Sequence, residues 1–154
     1  MPLTKKVLVL VLVLMAISVF NLPALSGVRL GVEVGNPNFV FIFRPSNFDF
    51  KLGYSMAEGD KNVFISADYR IVSGYPLVDF VHFFLGLGAY FQLYMDENPE
   101  EDFNLGGRIP LGLQVFLFGS AIEFFVEVCP TLTLVPEPGF DELMGYLGFT
   151  FLLR

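Results

Sequence analysis

Ten charged side chains recur at alternate positions inside otherwise apolar stretches: Arg29, Glu33, Arg44, Asp49, Lys51, Asp68, Arg70, Arg108, Glu123 and Glu127. Five cations oppose five carboxylates, a set that can form buried ion pairs. Glu127 with Arg108 reads as a structural lock rather than a proton path, and the ten together as a structural charge network. Other chemistry is sparse. His82 is the only histidine. A nucleophile and base need a serine hydroxyl within about 3 Å; Ser55, Ser66 and Ser73 are the candidates, and their spacing singles out none. A lone histidine without a second His or Cys partner makes a poor transition-metal site. Serine-hydrolase, phosphate-loop and metal motifs are missing. The acidic run Asp96-Glu97-Asn98-Pro99-Glu100-Glu101-Asp102 offers oxygen ligands of the kind calcium takes, but lacks the ordered spacing and turn glycine of an EF-hand. It reads as solvated charge. No catalytic, cofactor or metal site is expected, and the chain is not expected to be an enzyme.

The positions of these charges follow a period of two. In Val28-Arg29-Leu30-Gly31-Val32-Glu33-Val34 one face carries Arg29, Gly31 and Glu33; in Phe48-Asp49-Phe50-Lys51-Leu52-Gly53-Tyr54 it carries Asp49, Lys51 and Gly53. The opposite face is apolar throughout. Alternation of this kind belongs to β-strands, whose successive side chains point to opposite faces. A sheet apolar on its outer face and polar within is the pattern of a transmembrane barrel. Eight such segments run over about 28–35, 38–44, 48–56, 62–72, 79–95, 104–118, 121–134 and 143–153. Each ends at turn formers such as Gly35-Asn36-Pro37-Asn38, Pro45-Ser46-Asn47, Asn98-Pro99 and Pro136-Glu137-Pro138-Gly139. The fold class expected is therefore all-β, an eight-stranded antiparallel up-and-down transmembrane barrel.

Phe80 to Met95 is uncharged, yet short for a spanning helix. Its Gly86, Gly88, Tyr90, Gln92 and Tyr94 share one parity, which a helix would scatter. Gly106, Arg108, Pro110, Gly112 and Gln114 repeat the device in the next segment. Pro110 and Pro130 each remove a ladder donor, so a bulge is expected near each. Tyr54, Tyr69, Tyr75, Tyr94 and Tyr146, near segment ends, are candidates for interfacial girdles. With the N-terminus on the periplasmic side, connections near 45–47, 73–78 and 119–120 are periplasmic and those near 57–61, 96–103 and 135–142 face outward. The outer set holds Glu58, Asp60, Asp96, Glu97, Glu100, Glu101, Asp102, Glu137, Asp141 and Glu142 against Lys61 alone.

Residues 1–26 read as a signal peptide: Lys5 and Lys6, an apolar run from Val7 to Phe20, then Asn21-Leu22-Pro23 ahead of Ala24-Leu25-Ser26, with cleavage expected before Gly27. An uncleaved anchor is the alternative. Residues 27–154 then form one barrel domain with seven basic and sixteen acidic residues, a net charge of −9. With no basic patch for phosphates, a nucleic-acid partner is excluded. Cys129, the single cysteine, reads as a small buried side chain. A mean hydropathy of +0.62 argues against a water-soluble, lipocalin-like barrel.

Together these features resemble the small outer-membrane β-barrel proteins, the eight-stranded class of the OmpA membrane domain and OmpX-like proteins. Two stretches carry the likeness locally, Gly106-Gly107-Arg108-Ile109-Pro110-Leu111-Gly112-Leu113 and Ile122-Glu123-Phe124-Phe125-Val126-Glu127-Val128-Cys129-Pro130, which look like the late hairpin of such barrels. Leu147, Phe149, Phe151 and Leu153 alternate as an assembly signal does, although the family usually ends on an aromatic residue where this chain has Leu153-Arg154. The resemblance implies an outer-membrane location, lipid and the barrel-assembly machinery as partners, and loops open to an extracellular partner, without implying one activity. A side-chain-filled lumen with a structural or surface-interaction role is the leading expectation. A narrow pore, or a barrel holding a small hydrophobic ligand beside Gly86, Gly88 and Gly112, is the alternative; a lipid-modifying enzyme using His82 is a weaker one.

Overall fold

The computed structural model describes residues 27–35, 39–55, 57, 61–95, 103–141 and 143–153. The expected signal peptide, the acidic run 96–102 and loop residues Glu58, Asp60 and Glu142 lie outside the described residues.

Strands form wherever the alternation runs. They are β1 (Val28–Gly35), β2 (Phe39–Pro45), β3 (Phe48–Ser55), β4 (Asn62–Val78), β5 (Val81–Tyr94), β6 (Phe103–Arg108), β7 (Leu111–Leu117), β8 (Ile122–Cys129), β9 (Thr131–Val135), β10 (Gly139–Phe140) and β11 (Met144–Leu152). All pairings are antiparallel. From β1 the ladder passes through β2, β3, β4 and β5; β5 takes β6 and β7 on its far side, β9 lies beside β6 and β8 beside β7. The ring closes through β11, which pairs with both β8 and β1. Because β6 with β7, and β8 with β9, are halves of single strands, the barrel has eight, with β10 a short ribbon folded back on β9. Closure leaves no open edge around the wall, a requirement where no water can satisfy backbone groups.

Each half-strand break falls at a proline, and neither is a bulge. Arg108 opposes Thr131 before the break and Leu111 opposes Val128 after it, so the register runs on without an extra residue. Each proline keeps its carbonyl in the ladder: Gly86 N donates to Pro110 O at 2.7 Å and Ile109 N to Pro130 O at 3.0 Å. One donor is lost per proline, and the neighbours hold the register. The irregularities lie elsewhere: one register shift falls between Leu105 and Gly106 against β9, and three against β5 fall between Arg70 and Val78 in β4. The last part of β4 was expected to hold a periplasmic connection over 73–78; instead it continues the strand, and the tight turn is Asp79-Phe80. The other tight turns use left-handed backbone at Ser46 (φ 58°) and at Phe118, Gly119 and Ser120 (φ 53°, 64° and 69°). These three turns share one end of the barrel with Gly27, the turn end; the longer connections open at the other, the loop end.

Parity sorts the side chains as the alternation requires. Outward, Phe39, Leu52, Leu87, Phe124, Val126 and Leu147 are 57, 43, 56, 46, 49 and 57% exposed, an apolar wall around the barrel. Soluble proteins rarely expose contiguous apolar patches beyond a few hundred Å². Tyr54, Tyr69 and Tyr75 belong to this outer surface. Tyr146 does not: it shares the inward parity of Gly148 and Thr150 and is 4% exposed inside the lumen. The Tyr94 hydroxyl likewise accepts a hydrogen bond from Asn104 Nδ2 at 3.0 Å. Position near a strand end suggests a girdle, but parity decides.

Candidate functional site

Nine of the ten expected lumen charges are buried, and Arg29 is half-buried at the turn end. The wall presents them in two tiers. Nearer the turn end Arg44 pairs with both Asp49 and Glu123, while Arg70 reaches Asp49 at 2.9 Å and Glu123 at 3.5 Å. Thr150 Oγ1 donates to Glu123 at 2.6 Å, and Arg70 Nη1 donates to Gln114 at 2.8 Å. Nearer the loop end Lys51 contacts Glu33 at 3.1 Å and Glu127 at 2.9 Å. Arg108 contacts Glu127 at 2.9 Å and Asp68 at 3.2 Å, and donates to Ser66 at 3.3 Å. The lower tier is thus two against two, and the upper tier sets two cations against three carboxylates. Arg29 balances the total. Among the described residues it makes no ion pair; its guanidinium donates to Ser120 O at 2.6 Å and to Thr150 at 3.4 Å.

Desolvating an ion costs several kcal/mol, so such a lumen holds only if every charge meets partners. Aromatic faces add to the ion pairs. Arg70 lies 4.2 Å from the Phe84 ring centroid, Arg108 5.3 Å from Phe64 and Lys51 5.7 Å from Tyr146. Gln114, Ser66, Thr150 and these rings complete the network; all share the inward parity, which was the signal available for them in the sequence. Arg108 and Glu127 are in contact, with Glu127 shared by Lys51.

The inward glycines make room, but the room is filled from within. A Cβ on Gly88 would overlap the Asp68 carboxylate, one on Gly86 would meet Pro110 Cγ at 3.0 Å, and one on Gly112 would meet the Phe84 ring at 2.7 Å. Cys129 is fully buried, packed with Val40 and Tyr146.

At the loop end a smaller cluster was not foreseen. Tyr90 and Thr133 both donate to the Asp141 carboxylate, and Asp141 N donates to Thr131 O at 3.1 Å. Asp141, expected as part of the acidic outer rim, ties the β10 ribbon to the barrel mouth. Asp141→Ala should weaken that tie by about 1 kcal/mol, since the carboxylate is open to solvent. Limited proteolysis of the folded barrel checks this: cleavage within 136–143 should become faster, and an unchanged rate would refute the latch.

His82 stands at the turn end, in register with Pro76 and Gln114, its ring edge-on to Phe116 at 5.3 Å. Ser66 receives Arg108, and Ser55 accepts from Ala57 N at 3.4 Å at the opposite end. Neither hydroxyl approaches His82. Among the described residues no three His, Cys, Asp or Glu side chains gather as a metal site.

No family model and no curated protein sequence matches the chain. Among solved structures the crystal structure of the N-terminal β-barrel domain of Pseudomonas aeruginosa OprF is similar, with a TM-score of 0.53 and 12% identity, covering 82% of this chain and 95% of that one. At that identity the likeness concerns the fold. With the closed eight-stranded wall, it identifies this chain as a barrel of the small OmpA-like, outer-membrane type in fold.

Proposed function

We propose that the protein is an outer-membrane barrel of structural and surface-interaction function, whose side-chain-filled lumen does not conduct freely. The carrying observation is the paired two-tier network inside a wall only eight strands round, a girth its own side chains fill. The exposed apolar wall supports lipid as its surroundings, with the loop end presented to the exterior and the turn end to the periplasm. There Phe140, 88% exposed at the tip of the β10 ribbon, offers contact area to an extracellular partner. The chain's own assembly into the membrane would use the barrel-assembly machinery, through the outward row Leu147, Phe149 and Phe151.

Two measurements test this together. Expressed as the full chain, the protein should fractionate with the outer membrane and shift in SDS gel mobility on boiling, as a closed, detergent-resistant barrel does. Purified and added to a planar bilayer, it should give no steady conductance. A soluble product without the mobility shift would refute the membrane assignment, and steady single-channel current would refute the filled lumen. His82→Ala is expected to leave cellular lipid profiles unchanged; an altered acyl composition would favour the enzymatic alternative.

A further inference from the structure

A lumen full of ion pairs is not by that fact closed to ions, because carboxylates and guanidinium groups hydrate readily and exchange partners. A different element fills the lumen between the two tiers, which adjoin directly only along β3 (Asp49 and Lys51) and β4 (Arg70 and Asp68). Ile42, Phe84 and Phe125, 0, 1 and 2% exposed, pack into one apolar cluster across the lumen. On β8 Phe125 is the inward residue between Glu123 of the lower tier and Glu127 of the upper; on β2 Ile42 is the inward residue beyond Arg44. The Phe84 and Phe125 rings meet edge to face at 6.2 Å. From the turn end Arg70 lies against Phe84 at 4.2 Å, and Arg44 lies 6.0 Å from Phe125.

Glycines at the cross-strand partner positions admit the rings, Gly112 beside Phe84 and Gly148 beside Phe125. A Cβ on Gly112 would stand 2.7 Å from Phe84 Cζ, and one on Gly148 would overlap Phe125 Cζ. The two glycines and the two rings are complementary parts of one layer. Among the described residues no hydrogen bond or ion pair joins the lower tier to the upper across it.

We infer that the Ile42–Phe84–Phe125 layer, and not the ion pairs that flank it, is the permeability seal of this barrel. The inference rests on the filled-lumen reading and names the part that does the closing. An apolar constriction excludes ions by refusing water, with no charged group needing to move. An apolar cavity closed on every side stays dry. Here the faces above and below are charged, so removing the rings joins two hydratable tiers into one continuous wet path.

The experiment is planar-bilayer recording in potassium chloride on proteins whose closure is first established by the boiling-dependent gel shift. The parent should be silent. Phe84→Ala/Phe125→Ala should give steady single-channel current, and Glu123→Gln, which weakens the lower ion pairs but keeps both rings, should stay silent. A folded, silent double variant overturns the inference, as does a Glu123→Gln barrel that conducts as strongly as the double variant. If the double variant does not close, Ile42→Ser keeps both rings and places a hydroxyl in the layer; it should conduct weakly, and silence in its folded form overturns the seal. A conducting parent refutes the filled lumen itself, and the seal falls with it, a result distinct from silence in every protein.

Discussion

Replacing Arg108 by methionine is expected to destabilise the folded barrel by about 3 to 5 kcal/mol, the range for removing one partner of a buried ion pair. Its side chain is wholly buried between Glu127 at 2.9 Å and Asp68 at 3.2 Å, and it covers the Phe64 ring. Without it Lys51 alone faces Glu33, Asp68 and Glu127 inside the lumen. Methionine keeps the bulk, so the loss reports charge rather than a cavity. Urea titration of the barrel refolded in lipid, followed by the fraction of heat-modifiable protein, measures it. Lys61→Met, at an exposed position beside β4, provides the reference and should stay within about 0.5 kcal/mol of the parent. An Arg108→Met effect no larger than that would refute the network as a stabilising core. Adding Glu127→Gln to Arg108→Met removes one stranded carboxylate and should recover part of the loss, a coupling that a merely steric role would not produce.

Two adjacent glycines in β6 should behave in opposite ways. Gly106 points into the lumen, where a Cβ would overlap the Leu132 carbonyl oxygen and come within 2.9 Å of Leu132 C and Thr133 Cα. All three are backbone atoms of β9, so no rotamer change relieves the clash; the strands themselves must separate. Gly106→Ala is therefore expected to abolish closure, leaving little or no heat-modifiable band. Gly107 points outward, and the nearest atom to its added Cβ is Gly88 O at 3.8 Å, an ordinary contact. Gly107→Ala should fold as the parent does, and Ala gains slightly from its smaller backbone entropy loss. Equal behaviour of the two variants would refute the inward assignment of Gly106, and with it the parity of Arg108 two residues on.

The alternation of side chains already determined the fold class, the count of eight strands and the inward face of all ten charges. Inward and outward are properties of a residue's own strand, fixed by a period of two, and a one-residue slip would carry every charge to the apolar outer face. The partner in the Arg108–Glu127 contact was legible for the same reason, since the two fall on adjoining strands of one hairpin. Height along the barrel was not legible. Whether Lys51 meets Asp49 or Glu127, and that Arg44 bridges Asp49 and Glu123, depend on the stagger of eight strands around a closed ring, which no local pattern carries.

The misplacements have the same origin. Tyr146 was set in a girdle from its place near a strand end, while its parity and the ring closure put it beside Lys51 and Arg108. Pro110 and Pro130 were expected to force bulges, but they sit in neighbouring strands and each keeps its carbonyl bond, so the flanking ladders hold the register. Asp141 read as rim charge; Thr133 meets it only once the β10 ribbon folds back on β9, and Tyr90 only once β5 and β9 stand on either side of β6. The sequence by itself thus determined which side of the wall each residue faces, because that is a local property of an extended chain. Only the tertiary structure decided which inward residues share a level, and so the two ion-pair tiers, the apolar layer between them and the latch above, because levels are set by strand stagger and closure.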